Sequence, residues 1–139
     1  MTFWDTSAIT PLLVKEDASR RRRADLGEFG QMVVWHATPA EIESAISRRV
    51  REMHLDPRGA EDARRRLALL SESWIEVEPT GKVRARAIRL LRTHALRAGD
   101  AFQLAAALAA TEEQPDGALF FTGDARLGAA AKSEGFAVR

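Results

Sequence analysis

Four carboxylates in this sequence stand where chemistry could be done: Asp5, Glu41, Asp100 and Asp124. Asp5 directly follows a short strand-like run, Thr2-Phe3-Trp4, and Asp124 follows Ala118-Leu119-Phe120-Phe121 by two residues. Glu41 falls in the first turn of a helix after Gln31–Trp35, and Asp100 heads an apolar helix. In open parallel sheets the ligand crevice lies beyond the carboxyl ends of the strands, so acids from four distant segments could converge on one edge. Packed together they repel, and their charge is sustained only by a compensating cation or by raised pKa values. An oxygen-only ligand set favours a hard ion, Mg²⁺ or Mn²⁺. The spacing reads as a metal-dependent hydrolase, with helix N-termini keeping the carboxylates ionised. A plainer reading makes each acid a helix cap. Asp100 with Gln103, and Thr38 with Glu41, both have capping-box spacing; Asp5, with Thr6 and Ser7 behind it, fits that reading least.

The elements that must position these acids follow from hydropathy. A strand at 2–4 leads into a helix with Ala8, Ile9, Leu12 and Leu13 inward and Pro11 in its first turn. Arg20–Arg23 lies in a polar helix and reads as a solvated run. A buried strand at 31–35 precedes a helix that opens at Thr38-Pro39 and ends near Leu55-Asp56-Pro57. A helix over about 60–73, a strand at 74–77 and a basic helix from Gly81 to about Ala95 come next. The helix opening at Gly99-Asp100 is apolar almost all round, as an interior helix is. A buried strand at 118–121, a helix from Gly123-Asp124 and a last strand at 136–138 complete the pattern. Alternating strands and helices predict a three-layer α/β/α sandwich with a small, mostly parallel sheet, as one domain over 1–139.

Composition removes whole classes. Hydrophobic residues make up 45% and charged residues 29% of 139, which excludes a disordered or fibrous chain. No apolar run is long enough for a membrane span, and the N-terminus lacks a signal peptide's pattern, so a cytoplasmic protein is expected. Without cysteine there is no thiolate catalysis or cysteine-ligated metal, and His36, His54 and His94 lack ligand spacing. Trp4, Trp35 and Trp74 adjoin or lie within strands and read as core, leaving no aromatic platform for stacked bases. Glu61 and Asp62 supply i,i+4 partners for Arg65 and Arg66. No acid lies between Gly81 and Gly99, and there Lys82, Arg86, Arg89 and Arg97 share a helix face that could hold RNA phosphates.

Asp5-Thr6-Ser7-Ala8, Glu41-Ile42-Glu43-Ser44-Ala45, Leu96-Arg97-Ala98-Gly99-Asp100-Ala101 and Thr122-Gly123-Asp124 together resemble the PIN-domain family, and within it the VapC toxins of toxin–antitoxin pairs. The resemblance runs from Asp5 to Phe136, with the motifs in family order. It implies a metal-dependent endoribonuclease with an acidic pocket formed by Asp5, Glu41, Asp100 and Asp124. Thr6 or Ser7, and Thr122, match the polar positions beside the pocket. Glu41 is preferred to Glu43 because the family glutamate precedes an aliphatic residue and lies four before a small one, here Ala45. Asp124 has Arg126, not a second acid, close behind it.

Mg²⁺ keeps several waters and needs only one or two direct carboxylates, and Asp5 and Asp100 are taken as the direct ligands. Glu41 and Asp124 then act through water or orient the nucleophile. The partners implied are RNA and a small antitoxin that brings an apolar helix and a basic residue to the pocket; a homodimer stays open. Two further readings remain: a PIN-type RNA-processing nuclease outside any toxin pair, and a non-catalytic module that binds RNA or protein. A haloacid-dehalogenase-type phosphatase would need a second Asp two residues after Asp5, where Ser7 stands.

Overall fold

A computed structural model describes all 139 residues. Short apolar runs between polar segments give five short strands: β1 (Thr2–Trp4), β2 (Val33–Trp35), β3 (Ile75–Val77), β4 (Leu119–Phe121) and β5 (Ala137–Val138). Seven helices join them: α1 (Thr6–Leu13), α2 (Ser19–Phe29), α3 (Thr38–Arg51), α4 (Pro57–Ser71), α5 (Gly81–Thr93), α6 (Ala98–Ala110) and α7 (Ala125–Ser133). The strands pair in the order β3-β2-β1-β4-β5, all parallel, with Phe3 opposite Val33 and Phe120.

Side chains alternate across a strand, so neighbouring residues feed opposite cores. Phe3, Val33, Trp35 and Phe120 enter one core with α5, α6 and α7; Trp4, Val34 and Phe121 enter the other with α1, α3 and α4. The aromatic residues stack in register across β1 and β4: Phe3 on Phe120 with ring centroids 5.3 Å apart, and Trp4 on Phe121 at 4.3 Å. The chain moves from β1 outward to β2 and β3, then returns across β1 to β4 and β5. Right-handed crossovers place helices on opposite faces when the direction reverses. The three-layer sandwich is therefore as the sequence predicts, with the sheet parallel throughout. Helix α6 runs through the interior; Ala101 and Gln103 to Leu108 are all buried, and the alanines bring its backbone close to the sheet.

Several boundaries differ from the sequence reading. Pro11 is the sixth residue of α1, beyond the first turn, and its missing N–H leaves the Ser7 carbonyl without a helical donor. Helix α3 stops at Arg51, where Met53 takes a left-handed φ of 61°, and Asp56 then caps α4 through the Gly59 N–H at 2.6 Å. Helix α5 stops at Thr93, so Arg97 precedes α6 and is off the α5 face altogether. Asp62 pairs with Arg65 three residues on, and Arg66 donates instead to the Leu13 carbonyl at 2.8 Å. Both i,i+4 expectations fail because nearer or tertiary acceptors are better placed.

At Gly135 the chain leaves α7 with φ +107°, and a Cβ there would lie 3.1 Å from the Pro115 ring. Gly135→Ala is expected to destabilise the fold by about 1–3 kcal/mol, read as a lower Tm in thermal unfolding. An unchanged Tm would show that this turn relaxes freely.

Candidate active site

The strand order reverses between β1 and β4, and this is the switch point at which open parallel sheets bind ligands. Asp5 leaves β1 there, its N–H donating to the Phe121 carbonyl at the end of β4 at 3.1 Å. Its side chain caps α1: Oδ1 accepts from the Ala8 N–H at 3.2 Å and from Ser7 Oγ at 2.8 Å. Asp5 is only 4% exposed. Burial pushes its carboxyl up to about 7, against hydrogen bonds from Ser7 and Ala8 that act to lower it. Two expectations are thereby corrected. Asp5 does cap a helix, and desolvation outweighs the helix terminus that was expected to keep it ionised.

Glu41 comes from the first turn of α3, as the sequence indicates, but it caps nothing: Ala37 precedes the helix without a side-chain bond. Glu41 Oε2 accepts from Thr6 Oγ1 at 2.6 Å and from Gln103 Nε2 at 3.0 Å. Gln103 also reaches Thr6 Oγ1 at 3.1 Å and Thr38 Oγ1 at 3.2 Å. The spacings that suggested capping boxes thus serve a buried brace tying α6 to α1 and α3. A carboxylate only accepts, so the amide nitrogen must face Glu41, and Gln103 Oε1 is left buried without a partner. Glu43 turns away from this site to α4, where Arg64 Nη2 holds it at 2.8 Å.

Asp100, in the first turn of α6, makes no side-chain hydrogen bond and no ion pair. Burial raises its pKa, the Asp124 and Glu41 charges raise it further, and Arg97 opposes them. Asp124 caps α7 through the Leu127 N–H at 2.9 Å. The turn before it is bound to α1, because the Gly123 N–H donates to Ser7 Oγ at 2.7 Å and Ser7 Oγ lies 3.2 Å from Thr122 Oγ1. Thr6, Ser7 and Thr122 therefore hold the acids and their turns in place.

Sequence reasoning missed Arg22. Its run was read as solvated, yet Arg22 is 1% exposed and lies over the Phe121 ring. Its Nη2 donates to the Thr122 carbonyl at 2.7 Å, and Nη1 meets Asp25 at 3.3 Å. Ser19–Phe29 shows almost no apolar signal, but one arginine in four consecutive ones faces inward because Asp25, three residues on, goes with it. The expected basic face of α5 loses two of its four members: Arg97 lies beyond the helix, and Arg86 pairs with Glu113 at 3.0 Å and Glu134 at 3.1 Å. Lys82 and Arg89 stay exposed on α5 and do not line the site. Of that set only Arg97 lines the site.

Asp5, Glu41, Asp100 and Asp124 all line one open cleft of about 1340 Å³. None of the four is ion-paired. No three acidic or imidazole groups stand close enough to hold an ion between them, so the carboxylates ring the cleft without meeting at a point. Their chemistry nonetheless fits a hard divalent cation: all donors are oxygens, and two carry raised pKa values from burial that a dication would offset.

The family model that describes the PIN domain matches residues 2–133, a span that contains all four acids. A search of curated proteins finds no match. The crystal structure of FitAcB from Neisseria gonorrhoeae is similar, with a TM-score of 0.67 and 18% identity over 99% of this chain and 96% of that one. The crystal structure of PAE2754 from Pyrobaculum aerophilum is similar too, with a TM-score of 0.69 and 19% identity over 99% of this chain and 87% of that one. These likenesses bear on the fold.

The buried Asp5 carboxyl has a consequence for stability. Unfolded, it titrates at 3.8, and folded at about 7. Between those values the folded state keeps a proton that the unfolded state has released, so this contribution to stability is lost as pH rises from about 4 through 7. Asp5→Asn removes the charge and keeps a cap of equal quality. In EDTA the variant is expected to melt roughly 5–10 °C above the parent at pH 8 and close to it at pH 4. A difference that does not change with pH would overturn this assignment.

Proposed function

The chain belongs to the PIN domain family, and on that premise we propose that it is a divalent-metal-dependent endoribonuclease, the toxin of a toxin–antitoxin pair. PIN domains are generally nucleases. One observation carries the reading here: four unpaired carboxylates from four separate elements line one cleft at the switch point of a parallel sheet. The toxin assignment rests on the resemblance of the four motifs to VapC toxins.

In this reading Asp5 and Asp100 hold the ion, Mg²⁺ or Mn²⁺. A bound divalent ion would supply charge neutralisation at the phosphoryl oxygens and lower the pKa of the attacking water. Asp100 offers both carboxylate oxygens, because no protein donor engages them. Asp5 is fixed by Ser7 and Ala8, so its direction is set before substrate arrives. Glu41 is oriented by Thr6 and Gln103, and Asp124 by the α7 terminus, as groups that position water need to be. A neutralising antitoxin would bring a basic side chain to the same carboxylates and compete with the metal for them.

Purified protein incubated with total RNA is expected to cleave it with Mg²⁺ or Mn²⁺ and to stop in EDTA. Asp5→Asn and Asp100→Asn should each remove nearly all cleavage with the fold intact by circular dichroism. Glu41→Gln should be far more damaging than Glu43→Gln, since Glu43 serves Arg64. Full activity in either aspartate variant, or equal losses at Glu41 and Glu43, would overturn the site.

The toxin role has its own test. Induced expression should arrest growth, and co-expression with a neighbouring small reading frame should relieve the arrest through a co-purifying complex. Harmless expression without a co-purifying small protein would defeat the toxin role and leave an RNA-processing nuclease.

A further inference from the structure

The cleft walls carry cations as well as acids, and their partnerships divide them. Arg49 is paired with Glu16, and Arg22 is buried on Asp25 and the Thr122 carbonyl. Arg21, Arg48, Arg97 and Arg126 line the same cleft, are exposed, and have neither an ion-pair nor a hydrogen-bond partner. They come from four elements on two banks. Arg21 on α2 and Arg48 on α3 belong to the helical layer packed on Trp4, Val34 and Phe121. Arg97 before α6 and Arg126 on α7 belong to the layer packed on Phe3, Val33 and Phe120. The acids lie between the banks, at the carboxyl edge of the sheet.

Free guanidinium groups facing an acidic floor without pairing to it suit a ligand that needs both. A polyanion is repelled by Asp5, Glu41, Asp100 and Asp124 unless neighbouring charges hold it. Guanidinium forks match phosphate oxygens bidentately. We infer that Arg21, Arg48, Arg97 and Arg126 are a two-sided clamp for the backbone of single-stranded RNA, gripping phosphates on either side of the one over the acidic floor. Contacts on both banks require the strand to continue in both directions, which fits cleavage inside a chain and not at its end. The inference rests on the nuclease reading above and moves the substrate track from α5, where Arg86 is already engaged, to the cleft.

The test is binding, read separately from cleavage. Fluorescence anisotropy of a short fluorescein-labelled oligouridylate is followed in EDTA at increasing salt, with the intact chain. Each of Arg21→Gln, Arg48→Gln, Arg97→Gln and Arg126→Gln should weaken binding about 3–10-fold. Each phosphate contact on a single strand contributes about 0.7 to the slope of log K against log salt, so the fourfold variant should lose a slope of about 3. Lys82→Gln and Arg89→Gln on α5 should change neither quantity. All six positions are exposed, so unchanged melting temperatures check the fold, and the single variants carry the test if the fourfold one is unstable. An unchanged slope in the rim variants, or a loss of slope in the α5 variants, would overturn the clamp. If the slope behaves as expected but Mg²⁺ and Mn²⁺ give no cleavage by the parent protein, the clamp stands and the nuclease reading fails. Cleavage with the slope unaltered has the opposite meaning.

Discussion

The arrangement depends on a carboxylate taken out of water without a counter-ion. Asp5 must follow β1 directly, since its N–H closes the ladder onto Phe121, and that position places its side chain at the mouth of the sheet under α1. Removing an ionised group from water is costly unless it is paired, and a group left unpaired responds by holding its proton. Ser7 and Ala8 offset part of that cost; they do not remove it, and the carboxyl is raised to about 7. Arg22 is close by yet engaged elsewhere, with the Thr122 carbonyl and with Asp25, which Arg139 also meets at 3.5 Å. Arg22 thus anchors the turn carrying Thr122, Gly123 and Asp124 and forms no ion pair with Asp5. The negative charge is left available to something from outside.

The same geometry separates the four acids into two kinds. Glu41 and Asp124 are held by donors, a threonine hydroxyl with a glutamine amide in one case and a helix N–H in the other. Asp100 is held by nothing and is raised by burial and by its acidic neighbours. Asp5 is held as well, by Ser7 and the Ala8 N–H, so only Asp100 enters the cleft without a protein donor. Gln103 matters here more than its distance from solvent suggests. One amide reaches Thr6, Thr38 and Glu41, so three elements that approach the switch point separately are braced at one buried side chain.

Much of this was legible in the sequence, and the rest was hidden for definite reasons. Each strand is an apolar run short enough to recognise, and the interior helix announced itself by being apolar all round. The four acids could be found because each follows a strand or opens a helix. Which of them cap was misjudged, because capping depends on whether the residue before the helix or one inside it carries the acid. A shift of one residue at the start of α3, where Ala37 and not Thr38 is the cap, and of three at α6, where Arg97 and not Asp100 is, decides that. Arg22 was hidden by its three arginine neighbours, since composition reports the solvated majority and not the one that turns inward. The pairing of Arg86 with Glu113 and Glu134 joins residues far apart in sequence, across helices whose contact only the fold defines.

That last pairing also bears on where the molecule can hold a polyanion. His94 meets Glu134 at 2.7 Å, and with Arg86 it ties the end of α5 to the end of α7. A guanidinium in two ion pairs, 20% exposed, gives little to a passing phosphate, so the face of α5 is weaker in free charge than its sequence implies. At the cleft the balance runs the other way. There the acids are unpaired and four arginines are unpaired as well, although Arg97 is near enough to influence Asp100. Opposite charges that share a cleft without closing on each other are kept apart by the elements that carry them, α2 and α3 on one side, α6 and α7 on the other. The sheet between those layers sets their separation, and a ligand with several negative groups and a metal-binding phosphate satisfies both sets together.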